Sequence, residues 1–174
     1  MRIHHLVVAG LVTGFSSVGA AQAATPALDD ATIVAIFDAA NTWDIETGQL
    51  AVKKGSTQAV RDFGKQLSGD HQTVRQQGRD LAAHLHVTPT PPKDFGMAAD
   101  HAAAVKKLSA LEGKAFDRAF LEHEVAFHKA VLDAVTTTLM PALKNQDVKD
   151  LVKKVAPAFN AHMVAAQNLL DKMK

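Results

Sequence analysis

The chain of 174 residues has no cysteine, no tyrosine and a single tryptophan. Without cysteine there is no thiol nucleophile, no iron–sulfur cluster, no covalently attached haem and no disulfide staple. A lipid-anchored N-terminal cysteine is excluded on the same ground. An excess of one charge is also lacking, since 19 Lys and Arg face 18 Asp and Glu. A nucleic-acid partner needs a concentrated basic face, so none is expected. Sustained apolar–polar alternation with Gly/Asn turns is missing, which argues against a sheet. No period recurs often enough for a helical repeat array. The fold must therefore be held by packing alone, and Ala, Leu, Lys, Gln and Glu make helix the favoured state.

The first residues have the order of a secretory signal. Arg2 is followed by an apolar run, Leu6 to Val18, and then by the small-x-small sequence Ala21-Gln22-Ala23. This predicts a signal peptide over residues 1–23 and a mature domain over 24–174, with a periplasmic location and outer-membrane association as an option. The apolar run is too short and too broken by Gly and Ser to span a membrane, so no transmembrane anchor is expected after cleavage. What is left, roughly 150 residues, suits one domain with one core.

Steps of three and four between apolar residues predict four long helices. The first runs from about Asp30 to Lys54, with Ile33, Phe37, Ala40, Thr47 and Leu50 as its inner stripe. The second runs from about Thr57 to Leu85 with Ser56 as its N-cap, and its stripe includes Phe63, Leu67, His71 and Val74. Thr88-Pro89-Thr90-Pro91-Pro92 cannot be helical and reads as an extended crossover. A short helix, about Ala98 to Ser109, comes before the third long helix, about Ala115 to Leu139. The fourth spans about Asp147 to Lys172, with a kink expected at Pro157. Together these describe an all-α four-helix bundle with a long Pro-rich crossover and a short extra helix between helices two and three. A weak internal repeat is visible, since Phe63 and His71 have the same spacing as Phe120 and His128.

Against this background the histidines stand out. His84, His86 and His101 lie near the crossover and read as solvated loop residues. His71 and His162 interrupt apolar stripes in mid-helix. On the third helix either His123 or His128 could face the axis, and the internal repeat favours His128. Asp70 adjoins His71, Glu124 shares a face with His128, and Glu46 lies mid-helix one. Two readings of this set stand side by side. One is a metal site of His71, His128 and His162 with Glu124 or Glu46 as fourth ligand, and with His123 and Asp70 as alternates. Imidazole-rich sites suit Zn, Cu, Ni or Fe. Met163 points about 100° away from His162 around the helix, which disfavours a thioether copper site. The other is a buried polar network in which each histidine bonds a carboxylate or another histidine.

Asp70-His71, Phe116-Asp117-Arg118-Ala119-Phe120 leading to His128, and Ala158 to Leu169 resemble the bacterial exported family catalogued as domain of unknown function 4142. The resemblance runs from about Asp30 to Leu170. It implies a ferritin-like helical bundle, a bacterial envelope location and no established activity. Members carry an Asp-His pair on helices two and three. Here the second pair is Phe127-His128, so that aspartate is absent. His71, His128 and His162 match the family's pattern. The ferritin-like likeness invites a di-iron reading, but such centres use Glu-x-x-His on two helices and the chain has none.

No enzymatic activity is expected, since no serine sits in a strained strand–helix turn and no two acids flank a cleft. Two function classes are left. One is a periplasmic bundle that holds a transition metal. The other is a non-catalytic structural or interaction module in envelope stress tolerance. Its partner would be an envelope protein or a second copy, met through the crossover. The run Lys144, Lys149, Lys153 and Lys154 reads as a solvated face.

Overall fold

Asp29 starts the first helix by accepting a hydrogen bond from the Thr32 amide at 2.8 Å. That satisfies one of the donors that every helix start leaves open. In the computed structural model, residues 28–93 and 95–173 are described. The expected signal peptide lies outside the described residues. Helix α1 runs from Asp30 to Lys54 and stops where the Gly55 amide returns to the Ala51 carbonyl.

Helix α2 spans Gln58–His84. Its N-cap is Thr57, whose hydroxyl accepts from the Val60 amide, and not the expected Ser56. Ser56 is drawn away by Asp117, whose buried carboxylate accepts from the Ser56 amide at 2.8 Å and from its hydroxyl at 2.5 Å. The α1–α2 hairpin closes tightly because its contact points are glycines. A Cβ on Gly48 would lie 2.8 Å from the Gly64 carbonyl, and one on Gly64 would lie 2.6 Å from the Ala51 Cβ.

After α2 the proline-rich segment forms neither helix nor strand, and helix α3 spans Gly96–Ser109. Gly113 takes φ +59°, a left-handed value open to glycine, where helix α4 begins. Helix α4 spans Gly113–Ala134 and widens into a π-helical turn at Val135–Leu139, short of the regular helix expected to Leu139. The widening has a local cause. The Thr136 and Thr137 hydroxyls donate to the carbonyls of Leu132 and Asp133 at 2.8 and 2.7 Å, and Pro141 offers no amide. A short turn, α5 (Met140–Ala142), leads to α6, Gln146–Asp171, which is capped by Asn145 and continues through Pro157.

Helices α1 and α2 form one hairpin, and α4 and α6 form the other. Helices α2 and α4 run in the same direction, since Phe63 meets Phe120 at 5.9 Å and His71 meets His128 at 5.5 Å between ring centroids. Helix α1 opposes α4, with Lys54 over Phe116 and Asp44 beside His128. The connectivity is therefore up–down–down–up, with the crossover and α3 carried along the bundle, as in ferritin-like folds. Apolar layers fill both ends: Leu67, Phe116, Phe120 and Ala166 at one, Ile33, Ala82, Leu143 and Val148 at the other. Each buried Leu or Phe contributes about 1.5–3 kcal/mol. Between these ends lies a polar layer. Among the described residues no helix is long and apolar enough to cross a membrane.

Candidate metal centre

The polar layer is built from four helices. α1 supplies Asn41 and Asp44, α2 supplies Asp70 and His71, α4 supplies Glu124 and His128, and α6 supplies His162. The histidines sit in apolar stripes, so packing of those stripes carries them inward. His71 and His128 are 0 % exposed and His162 is 3 % exposed. His128 thus takes the axial position. His123 stays half-buried on the flank, stacked on Phe127 at 5.8 Å, and burial lowers its pKa to about 4.

Each axial imidazole has one nitrogen fixed by an outer acceptor. The Asn41 amide nitrogen donates to the Phe37 carbonyl at 2.7 Å, so its oxygen must be the end that faces His71. That oxygen lies 2.9 Å from His71 Nδ1 and accepts its proton. His128 Nδ1 donates to the Glu124 backbone carbonyl at 2.9 Å. His162 Nε2 donates to the Asp70 carboxylate at 2.9 Å. The remaining nitrogens are His71 Nε2, His128 Nε2 and His162 Nδ1, each carrying a lone pair. One ligand nitrogen from each of these residues lies within 4.8 Å of the other two. His71 Nε2 and His162 Nδ1 are 3.2 Å apart. Two lone pairs at that separation need a proton or a cation between them. His128 Nε2 is buried with no hydrogen-bond partner.

Two buried acids border the histidines. Asp44 Oδ2 lies 3.4 Å from His71 Nδ1, and its Oδ1 lies 4.0 Å from His128 Nε2. Glu124 Oε2 lies 3.5 Å from His128 Nδ1. No fixed donor meets any of these four carboxyl oxygens in hydrogen-bonding geometry. Burial, with the charge of Glu124 beside it, holds the Asp44 carboxyl well above the usual carboxylate range. Burial raises Glu124 to about 7, an effect tempered by the nearby Thr47 and Asp44 side chains. Burial and the neighbouring imidazoles push His71 down to about 2 and His128 down to about 3. Both rings are therefore neutral at physiological pH, which is the form that ligates a metal.

These donors fit a transition-metal ion. Zinc–imidazole bonds of 2.0–2.1 Å in a tetrahedral site place ligand nitrogens roughly 3.3 Å apart. The 3.2 Å separation of His71 Nε2 and His162 Nδ1 matches this. The outer acceptors Asn41, the Glu124 carbonyl and Asp70 orient the rings as partners of ligating histidines do. Phe159 stacks edge-on against His71, with 4.8 Å between ring centroids, and closes one side of the layer. Beyond it lies a cavity of about 50 Å³ lined by apolar side chains, with Asn41 as its polar member.

Some sequence expectations resolve differently. Glu46, an expected alternative ligand, does not enter the layer. It follows Asp44 by two residues, about 200° around the helix, and its half-exposed carboxylate accepts from His101 Nε2 at 2.8 Å. His101 is correspondingly no solvated loop residue. It lies on α3, 8 % exposed, stacked on Trp43 with 5.2 Å between centroids. Asp70 touches the cluster only through the outer nitrogen of His162. Asn41 and Asp44 are absent from the expected stripe. The spacing Ala40, Asp44, Thr47, in steps of four and three, was the signal that placed Asp44 inward.

Compared with known proteins, residues 16–169 match the family described as Domain of unknown function (DUF4142). The chain belongs to that family. No curated protein matches it. A solved structure similar to it is the crystal structure of a DUF305 fragment from Deinococcus radiodurans. The two share 15% sequence identity with a TM-score of 0.71, over 82% of this chain and 95% of that chain. At that identity the likeness shows the shared helical-bundle fold alone.

Proposed function

We propose that this member of the DUF4142 family is an exported bundle of the bacterial cell envelope that binds one transition-metal ion between His71, His128 and His162. One observation carries the reading. Each of the three imidazoles has one nitrogen committed to an outer acceptor, and each brings a nitrogen within 4.8 Å of its two neighbours inside a buried polar layer. Imidazole ligands suit Zn, Cu, Ni or Fe. The envelope location rests on the signal-like residues 1–23. The role is binding or buffering, with no reaction assigned. Asp70, Asn41 and the Glu124 carbonyl orient the rings, and Phe159 packs against both His71 and His128.

A second reading has its own support. Asp70, His162, His71 and Asn41 form one continuous chain of contacts of 2.9, 3.2 and 2.9 Å. With a proton between His71 and His162, that chain is a complete hydrogen-bonded network. A structural module for envelope stress tolerance, meeting an envelope protein or a second copy, would need no more. Against it stands His128 Nε2, which such a network leaves without a partner.

The deciding experiment is metal analysis of untagged protein purified from the periplasm, followed by calorimetric titration of Zn(II) and Cu(II). Submicromolar binding of one ion per chain, lost in His71→Ala, His128→Ala and His162→Ala alike, is the expected result. Weak binding that ignores these substitutions would leave the network reading in its place.

A further inference from the structure

We propose that Asp44 and Glu124 are the counter-charge of the bound ion, so that the centre takes a divalent cation and discriminates against monovalent copper or silver. This rests on the metal reading above and adds the charge class of the ion.

Three neutral imidazoles do nothing to cancel a cation's charge. The layer that holds them is closed by Val74, Val155 and Phe159 on one side and by Leu67 and Phe120 on the other. The histidines are buried there, and an uncompensated buried charge is strongly disfavoured. The compensation must come from the protein. Asp44 and Glu124 are the acids in position to supply it. Their side chains are 1 % and 0 % exposed, and Asp44 touches both His71 and His128. Asp44, Glu124 and His128 form a second donor group within 4.8 Å, overlapping the first at His128.

Buried carboxyls are ordinarily paired with a base or coordinate a metal. Among the described residues the buried polar set contains no Lys and no Arg. Two neighbouring acids with no base beside them therefore lie against three imidazoles that each bring a nitrogen within 4.8 Å of the others. An ion that displaces the protons of both acids gains two negative charges, which match a divalent ion. A monovalent ion needs only one of them, so the second acid adds nothing to its binding.

The test uses the mature protein, its Asp44→Asn and Glu124→Gln variants, and the double variant. Zn(II) and Ag(I) are titrated into each, with helical content checked by circular dichroism. The expected result is a loss of Zn(II) affinity of roughly tenfold per acid and a hundredfold for both, with Ag(I) affinity unchanged in either single variant. Zn(II) affinity that ignores the substitutions would overturn the inference, and so would parallel losses for both ions. If the variants do not fold, the wild type decides. Its Zn(II)-to-Ag(I) affinity ratio must exceed that of free imidazole in the same buffer, and an equal or lower ratio overturns the inference. Tight Ag(I) binding without Zn(II) would also overturn it while leaving the histidine centre standing. Binding of neither ion would instead remove the metal reading itself.

Discussion

His71 Nε2 lies 3.2 Å from His162 Nδ1, although 91 residues separate them in the chain. The contact joins the α1–α2 hairpin to the α4–α6 hairpin at the middle of the bundle. Its geometry is governed from outside, by Asn41 on one ring and Asp70 on the other.

Asp70→Ala is therefore expected to weaken metal binding without unfolding the protein. The carboxylate is half-exposed, so its loss should change stability by less than about 1 kcal/mol. His162 would lose the acceptor that orients it, and losing such a partner typically lowers affinity by roughly 10–100-fold. Parallel urea unfolding and Zn(II) titration check this. Unchanged affinity would mean that packing alone orients His162.

The pH dependence of the chelated protein has two opposing parts. His71 and His128 titrate at about 2 and about 3 in the folded state, against an ordinary 6.5. Below 6.5 the unfolded chain takes up protons that the folded chain refuses, so this part lowers stability as pH falls. Glu124 titrates at about 7 when folded, against 4.5. The folded state keeps a proton that the unfolded chain has lost, so this contribution is full below 4.5 and is lost as pH rises through about 7. Glu124→Gln removes the second part. It should stabilise the chelated protein by on the order of 2 kcal/mol at about pH 8, with a much smaller gain at about pH 5. Urea midpoints at the two pH values test the sign, and a loss of stability at the higher pH would contradict it.

Trp43 packs on His101, Phe95 and Phe127, and His101 is held by Glu46. Glu46→Ala should loosen α3 and expose the indole, shifting tryptophan emission to longer wavelength. The cost in global stability should be below about 1 kcal/mol, because the Glu46 side chain is half-exposed. As the chain has one tryptophan, the signal has a single source. Emission unchanged from wild type would show that the aromatic contacts of Trp43 hold α3 unaided.

Two glycine substitutions should differ sharply. At Gly64 a new Cβ meets the Ala51 Cβ at 2.6 Å and the Gly48 carbonyl at 2.7 Å, both on or next to backbone. Gly64→Ala should destabilise by about 1–3 kcal/mol, since the hairpin must open to admit it. At Gly78 the obstacle is the Phe37 ring at 2.7 Å, and Phe37 borders the apolar cavity into which it can turn. Gly78→Ala should cost less than Gly64→Ala, helped by the higher helix propensity of alanine. Thermal unfolding of the two variants gives the ranking, and equal losses would show that Phe37 is not free to move.

The helical architecture was legible because stripes at three- and four-residue spacing record which face is buried. His71, His128 and His162 could be singled out because each breaks an otherwise apolar row. Asn41 and Asp44 escaped notice because two polar residues in an inner row resemble a gap in the stripe, and only α2 and α4 packed against them show that they face inward. The reach of Glu46 toward His101 was hidden for a related reason. Helix spacing gives a residue's angle, but its neighbours depend on how α3 lies along α1. Ser56 does not serve as the cap because Asp117, which claims it, comes from 61 residues away and leaves no local signal in the sequence.

The ligand nitrogens come from both hairpins, His71 from one and His128 and His162 from the other, and the layer holding them is closed to solvent. The consequence is kinetic. An ion seated there cannot leave by exchanging ligands at a surface, because its path out opens only when the hairpins part. Its residence time is then set by the breathing rate of the bundle, so the rate at which an excess of chelator strips it should stop rising with chelator concentration and level off at that breathing rate.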